Sequence, residues 1–226
     1  RGDLPERDIF VQFRQSSQPP EKGKATVMRN RWRLVNCQKL YDIQADPGQK
    51  RDVASEHPQL VEELKEAYEA WWNQVSPDLA AYCRIGLGSD QENPAQLTAF
   101  DWHTRTPWNQ GHIRRGVEAN GMWAVKIVED GTYQFALRRW PEEIHVSINA
   151  APEGANAIRA DEARLRIGDV DLVKPVPKHV EEVIFETDLS AGPAELQTWL
   201  VDSKNKKSRG AYYVRIKRLS NKAGPP

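Results

Sequence analysis

Residues 31–58 read RWRLVNCQKLYDIQADPGQKRDVASEHP. Apolar and polar side chains alternate over Trp32–Val35 and over residues 40–43, a pattern typical of strands that bury one face. Asp46-Pro47-Gly48 predicts a tight turn, because proline fixes its backbone angle φ and glycine tolerates a positive one. Pro58 suits the first position of a helix, where its missing N–H is not needed. The stretch therefore predicts a small antiparallel sheet followed by a helix.

The elements on either side extend this prediction. Upstream, residues 9–13 form a strand pattern, and residues 25–36 resemble a hairpin that turns at Asn30-Arg31. Downstream, we predict a helix from Pro58 to about Val75, because its apolar residues fall on one stripe while glutamates face away. Trp71-Trp72 is a candidate sugar platform, but the helical spacing favours the core for Trp71. The apolar stripe comprises Leu60, Leu64, Ala67, Tyr68, Trp71 and Val75.

The order and wording of this region resemble the C-terminal part of arylsulfatase-type, formylglycine-dependent sulfatases. The resemblance is carried by RWRLVN, LYDI, DPGQ, DVA and HP within residues 31–58, and it runs without gaps. It implies that the run closes a small C-terminal sheet and starts a terminal helix. It also implies that this unit docks against a large α/β catalytic domain of the same chain, which is the expected partner.

The same resemblance implies where the chemistry lies. The family's catalytic domain carries a Cys-x-Pro-x-Arg motif, whose cysteine or serine becomes formylglycine, together with carboxylates that hold calcium. Cys37 precedes Gln38-Lys39 and Cys83 precedes Arg84-Ile85, so neither fits that motif. We therefore expect no catalytic residue, metal ligand or cofactor in this chain, and no activity of the chain alone. Calcium, formylglycine and sulfate-ester hydrolysis would belong to the parent enzyme, exported to the periplasm or secreted.

The composition is that of a soluble globular chain. Of 226 residues, 39% are hydrophobic and 28% are charged, and 32 lysines and arginines balance 32 aspartates and glutamates. This balance argues against nucleic acid and against an acidic membrane surface as partners. No apolar run reaches the roughly 20 residues of a membrane-spanning helix. The chain begins Arg1-Gly2-Asp3 without methionine, so we expect a fragment of a longer protein.

The second half is predicted to be a β-sandwich of the jelly-roll type, which makes the whole chain α+β. Trp123–Ile127 and Tyr133–Leu137 alternate on either side of Asp130-Gly131, a strong hairpin signal. A second hairpin is expected at Gly168-Asp169. We divide the chain into a sulfatase C-terminal subdomain (1–79), a linker rich in turn residues (80–96), the β-sandwich (97–220) and a tail (221–226).

Residues 100–115, FDWHTRTPWNQGHIRR, are the candidate site. So many polar groups cannot all be buried without partners, and similar DWH and PWNQ wording occurs in the sulfatases that the chain resembles. Amides, imidazoles and guanidinium groups suit the hydroxyls and sulfate oxygens of a glycan. His103 and His112 lack a carboxylate at helical spacing, so a metal pair is not expected. The candidate substrate-binding residues are Asp101, Trp102, His103, Trp108, Asn109, Gln110 and His112.

The sequence is compatible with more than one role for the 100–115 segment and for the sandwich. The 100–115 segment is compatible with a loop that attaches the sandwich to the catalytic domain, with the lining of a substrate entrance, or with an independent sugar site. The sandwich itself is compatible with a carbohydrate-binding module, with a sulfated glycan as partner, or with a purely structural domain. The candidate rings for stacking on a sugar are Trp102, Trp108, Trp140 and Trp199. Of these, we expect Trp140 and Trp199 to pack structurally, although the face of Trp199 is ambiguous. The basic residues Lys204, Lys206, Lys207 and Arg209 are expected at a solvated hairpin tip that could also attract a sulfated polysaccharide.

Overall fold

The computed structural model describes residues 6–13, 19–104 and 107–220. The chain divides into two compact units, Arg1–Tyr82 and Cys83–Pro226. The first combines a small antiparallel sheet with one main helix, and the second is a β-sandwich, so the predicted α+β fold is confirmed. Among the described helices, none has the length and apolar character needed to span a membrane.

The first unit contains a sheet whose strands follow one another in space as they do in sequence. Each neighbouring pair is antiparallel, in the order β1-β2-β3-β4. The main helix, α1, starts at Pro58 and ends at Val75, as its apolar stripe predicts. The strands are β1 Ile9–Val11, β2 Thr26–Arg29, β3 Trp32–Val35 and β4 Lys39–Asp42.

One row of side chains crosses this sheet and forms its core face. Phe10, Val27, Leu34 and Leu40 are successive register partners. The last three are buried, and they form one cluster with Leu64 and Tyr68 of α1. The alternation of the strands and the stripe of the helix therefore describe two sides of the same core.

The aromatic residues of α1 close this core at its edge. The ring of Phe10 stacks on Trp71, with centroids 5.1 Å apart. Trp71 and Trp72 are both half-buried and pack against the cluster. The hydroxyl of Tyr68 accepts a 2.8 Å hydrogen bond from the backbone N–H of Gly23, which holds the loop before β2. Trp71 is therefore part of the packing between helix and sheet.

The described part of the second unit consists mainly of strands, with one short α-helix and one 3₁₀ helix. Within the described residues, the strands form a large sheet, ordered β11-β10-β13-β8-β5 with β14 beside β13 and β7 beside β8, and an opposite sheet, ordered β12-β9-β15-β6. The elements are β5 Ile85–Leu87, β6 Ala95–Thr98, β7 His103–Thr104, α2 Gln110–Arg115, β8 Gly121–Ile127, β9 Gly131–Arg138, β10 Glu162–Ile167, β11 Val170–Pro175, β12 Glu182–Leu189, β13 Gly192–Asp202, β14 Lys207–Arg209 and β15 Tyr213–Ser220.

Apolar side chains from both sheets fill the space between them. Trp123, Phe135, Leu165 and Phe185 have no more than trace exposure and belong to one cluster. The indole N–H of Trp123 donates a 2.8 Å hydrogen bond to the carbonyl of Thr98, so its polar atom is satisfied inside the core.

The hairpin predicted around Asp130-Gly131 is wrong, because β8 lies in the large sheet and β9 in the opposite one. The connection crosses from one sheet to the other. The carboxylate of Asp130 accepts a 2.6 Å hydrogen bond from the N–H of Ala191, which fixes the crossing. Both strands bury alternate residues in one core, so alternation alone does not tell a hairpin from a crossover. At Gly168 (φ 54°), by contrast, β10 and β11 do form the expected hairpin.

The segment predicted as a linker contributes to the sandwich. The structure places β5 there, paired in parallel with β8, and Leu87 is fully buried. Ala95, at the start of β6, is buried as well. The turn residues of this segment flank strands of three and four residues, which are too short to show alternation. The predicted tail, residues 221–226, lies outside the described residues.

A buried arginine holds the loops at one end of the sandwich. Arg139 is wholly buried, and its guanidinium donates to the carbonyl oxygens of Ile113, Ala150 (3.2 Å) and Asn156 (2.6 Å). It also lies 4.2 Å from the ring centroid of Trp140, which is buried as predicted. Burial lowers the pKa of Arg139 to about 10, because desolvation disfavours the charged form.

Candidate functional site

At the start of the 100–115 segment, Asp101 lies at the surface and Trp102 lies in the core. Asp101 is exposed, and its carboxylate accepts a 3.2 Å hydrogen bond from the hydroxyl of Thr98. Trp102 is only 5% exposed, and its ring lies edge-on to Trp123 at 5.5 Å and tilted to Tyr212 at 6.1 Å. Trp102 therefore belongs to the sandwich core, where a surface-bound sugar would not reach its ring.

His103 occupies a different surface. It lies in β7, at one side of the large sheet, opposite Met122 of β8. Its side chain is half-buried. Because successive strand residues point to opposite faces, the chain turns Trp102 inward and His103 outward.

The remaining candidates lie around α2. Trp108 is 56% exposed, and Asn109 caps the helix by accepting a 3.1 Å hydrogen bond from the N–H of His112. Gln110 donates a 2.9 Å hydrogen bond to the hydroxyl of Tyr213 in the opposite sheet. His112 is half-buried within the short helix. Asn109 and Gln110 thus have structural hydrogen bonds, whereas the ring of Trp108 faces solvent.

These side chains do not form one constellation. Trp102 points into the core, His103 lies on the outer face of the large sheet, and Gln110 contacts the opposite sheet. Residues 105 and 106 lie outside the described residues. In the described part of the chain, no three His, Cys, Asp or Glu side chains come together as a metal site would require.

The outer face of the large sheet collects polar side chains that sequence analysis did not group. A row crosses the sheet through successive register partners, from β7 to β11. A second row, next to it, pairs Trp199 with Arg164. We call this surface the Trp199 face and define it by His103, Met122, Gln197, Arg166 and Asp171 of the first row, with Trp199 and Arg164.

The centre of the Trp199 face is a partly exposed indole with two guanidinium groups over its ring. The Cζ atoms of Arg164 and Arg166 lie 5.0 and 5.6 Å from the ring centroid of Trp199. The flanking residues Thr198 and Leu200 point inward and are fully buried. The ambiguity of Trp199 is thereby resolved, since this ring lies on the outer face.

The two arginines differ in their partners. The guanidinium of Arg164 donates two hydrogen bonds to the carboxylate of Asp171, from Nε to Oδ1 at 2.7 Å and from Nη2 to Oδ2. That fork holds the pKa of Asp171 below its ordinary value and raises the pKa of Arg164. Arg166 is exposed and donates a 2.8 Å hydrogen bond to the amide oxygen of Gln197. One guanidinium is thus neutralised by a carboxylate, and the other is held by a neutral amide.

The basic hairpin tip is less uniform than its sequence indicates. Lys204 and Lys206 are exposed, and Lys207 pairs with Glu118 at 2.7 Å. Arg209, in β14, is only 5% exposed and points inward. Of the four basic residues of the tip, only the three lysines are therefore solvated.

The first unit also presents a distinctive surface. On the side of its sheet away from α1, Ile9 and Val11 of the edge strand β1 are 44% and 48% exposed, and Phe13 beyond the strand is 81% exposed. Their register partners Met28 and Thr26 are half-buried. We call this surface the β1 face and define it by Ile9, Val11, Phe13, Thr26 and Met28.

Comparisons with known proteins identify no family. No family model and no curated protein matches the chain. Among solved structures, the neighbours include a ruminal GH26 endo-β-1,4-mannanase (15% identity, 57% of this chain and 27% of that chain, TM-score 0.35), Pika GITRL (17%, 44% and 75%, 0.24), and the carbohydrate-binding module CBM6cm-2 from Cellvibrio mixtus lichenase 5A in complex with cellotriose (13%, 57% and 99%, 0.28). The neighbours include a glycoside hydrolase and a carbohydrate-binding module.

Proposed function

We propose that this chain is the non-catalytic C-terminal region of a sulfatase and that its β1 face docks on the catalytic domain of the same parent protein. The sulfatase assignment rests on the sequence resemblance of residues 31–58. The observation that carries the docking is the exposure of Ile9, Val11 and Phe13 on one side of an edge strand. Clustered exposed apolar side chains mark interaction surfaces. Among the described residues β1 is the edge strand of its sheet, and edge strands are a common place for a further chain to pair.

In this proposal the catalytic domain of the parent protein hydrolyses the sulfate ester. Neither Cys37 nor Cys83 stands in the motif that matures to formylglycine. An activated nucleophile and a divalent cation would be supplied by the catalytic domain. The residues of this chain would stabilise that domain, and we expect them to leave sulfate esters unchanged on their own.

The docking can be tested by producing the catalytic domain and this chain separately and mixing them. We expect the two to co-elute in size-exclusion chromatography. Val11→Asp should abolish co-elution, because a carboxylate would be buried in an apolar contact. Val173→Asp is a matched control, since Val173 is a strand valine that is 54% exposed in the second unit. Co-elution that survives Val11→Asp, or its absence in the unchanged chain, would contradict the docking.

A second candidate function is carbohydrate binding by the β-sandwich. The observation that favours it is the half-exposed indole of Trp199, set among side chains that donate and accept hydrogen bonds. An aromatic face offers the apolar platform on which the C–H face of a sugar can stack. Guanidinium and amide groups beside it match the hydroxyls around that sugar.

Titration of the chain with a panel of polysaccharides, followed by tryptophan fluorescence and calorimetry, tests this second function. We expect saturable binding that Trp199→Ala removes and Trp108→Ala preserves. Loss of binding only in Trp108→Ala would move the site to α2. Absence of saturable binding across the panel would leave the sandwich with a structural role.

A further inference from the structure

We infer that the Trp199 face accepts a saccharide that carries an anionic substituent and that the guanidinium of Arg166 contacts this substituent. The inference rests on the proposed carbohydrate binding and names its ligand class. Sulfate esters and carboxylates share the required chemistry, an oxyanion that accepts two parallel N–H donors.

Arg166 has N–H donors that it does not use in its hydrogen bond to Gln197. An arginine side chain has five N–H donors in a fixed fork. In the described residues, Arg166 uses one of them toward Gln197, and the side chain is exposed. The amide of Gln197 therefore orients the guanidinium of Arg166, and because an amide is neutral, this hydrogen bond does not neutralise the positive charge.

The carboxylate nearest to Arg166 in the sheet register is that of Asp171. Asp171 lies opposite Arg166 in the register of β10 and β11, yet both of its oxygens accept hydrogen bonds from Arg164. Glu162, on the same strand and side as Arg164, acts electrostatically on Arg164. Both oxygens of Asp171 are thus engaged by hydrogen bonds from Arg164, and Asp171 acts on Arg166 only electrostatically, which leaves N–H donors of Arg166 available to a ligand.

The opposite sheet provides an internal comparison. There, Arg138 binds Glu181 at 3.1 Å and Glu182 at 3.0 Å. Arg215 pairs with Glu142 at 3.5 Å and also with Glu182. Among the described residues, Arg138 and Arg215 of that outer face pair with carboxylates, whereas the hydrogen-bond partner of Arg166 is the amide of Gln197.

The guanidinium of Arg166 lies close to the indole of Trp199. The Cζ atom of Arg166 lies 5.6 Å from the centroid of Trp199. Because Arg164 and Arg166 both lie over the indole, a sugar would stack on the part of the ring that they leave uncovered, and its ring substituents would lie next to the guanidinium of Arg166. A guanidinium fork recognises planar or tetrahedral oxyanions better than an ammonium does, so Arg166→Lys should retain only part of the preference.

The experiment compares dextran and galactan, each in neutral, sulfated and carboxymethylated form, by calorimetry and affinity electrophoresis. We expect the anionic forms to bind more tightly than the neutral ones, by about tenfold for one charge-assisted contact. Arg166→Gln should remove this preference and spare neutral binding, whereas Trp199→Ala should remove both. Arg115→Gln, an exposed arginine on α2, serves as the control and should change neither. Added salt should weaken only the anionic forms.

Each outcome decides between the two proposals. Equal binding of neutral and anionic forms, or a preference that survives Arg166→Gln, would overturn the anionic ligand while leaving carbohydrate binding intact. Binding of no polysaccharide would overturn both. Preference for the sulfated form alone would identify a sulfate ester as the anion, and preference for the carboxymethylated form alone would identify a carboxylate. Unchanged thermal unfolding of each variant would show that the fold is retained.

Discussion

Replacement of Trp102 by alanine should sharply destabilise the second unit. The indole is 5% exposed and packs against Trp123 and Tyr212. It also fills the space above two glycines, since a Cβ built on Gly121 or Gly210 would lie 2.6 or 2.5 Å from Trp102 atoms. The backbone of two distant segments therefore contacts the ring directly.

The magnitude follows from the cavity that would remain. Truncation of a buried tryptophan to alanine costs about 3–5 kcal/mol. We expect the upper half of this range, because Gly121 and Gly210 have no side chains that could move into the space. In a unit of this size, a loss of about 4 kcal/mol corresponds to a decrease in Tm of about 10–15 °C.

Differential scanning calorimetry would measure the effect, with the transitions of the two units analysed separately because multi-unit chains need not unfold in one step. Trp108→Ala is the matched control. Its indole is 56% exposed, so we expect a change within about 0.5 kcal/mol. A cost below about 1 kcal/mol for Trp102→Ala, or a larger cost for Trp108→Ala, would refute the assignment of Trp102 to the core.

Three further predictions concern the same unit. Arg139→Lys should lower the free energy of unfolding by about 2–4 kcal/mol in denaturant titrations, because one ammonium group cannot serve the carbonyls that the guanidinium joins; an unchanged midpoint would contradict this role. Gly116→Ala should cost more than about 1 kcal/mol, because φ is 65° and the new Cβ would lie 2.6 Å from Ile158; a variant as stable as the unchanged chain would contradict that geometry. Burial raises the pKa of Tyr212 from 10.0 to about 12. As the pH rises, the phenol should therefore ionise in the unfolded state before it ionises in the folded state. The stability that the neutral phenol contributes below pH 10 should then be lost as the pH rises toward 12. Because burial also raises the pKa of Tyr68 and Tyr133, Tyr212 is identified by difference: the phenolate absorbance that appears near pH 12 should decrease by one group in Tyr212→Phe. A decrease near pH 10 instead would contradict the burial.

The fold of the first unit could be predicted because its signals are local. Alternation over Trp32–Val35 and the stripe through Leu64 and Tyr68 each specify a buried face, and the two faces meet. The partnership of β8 and β9 could not be predicted in this way. Residues such as Trp123 and Phe135 alternate toward one core from two different sheets, and sequence spacing contains no information about which sheet a strand joins.

The candidate site shows the same limit. Trp102 lies in a polar stretch that indicates a surface loop, yet it is buried because Gly121 and Gly210, far along the chain, leave room for its ring. The Trp199 face was not predicted, since Arg164 and Trp199 become neighbours only through the pairing of β10 and β13. The available signal was the alternation of Arg164 and Arg166 with buried apolar residues, which indicates a polar outer face but not its aromatic partner.

The most direct test of the proposed function is an assay of sulfate-ester hydrolysis by the intact parent protein beside this chain alone. Aryl sulfates and sulfated polysaccharides would serve as substrates, with calcium present. We expect turnover by the parent and none by this chain. Hydrolysis by this chain, or an inactive parent with matured formylglycine, would contradict the proposal that the chain is the non-catalytic region of a sulfatase.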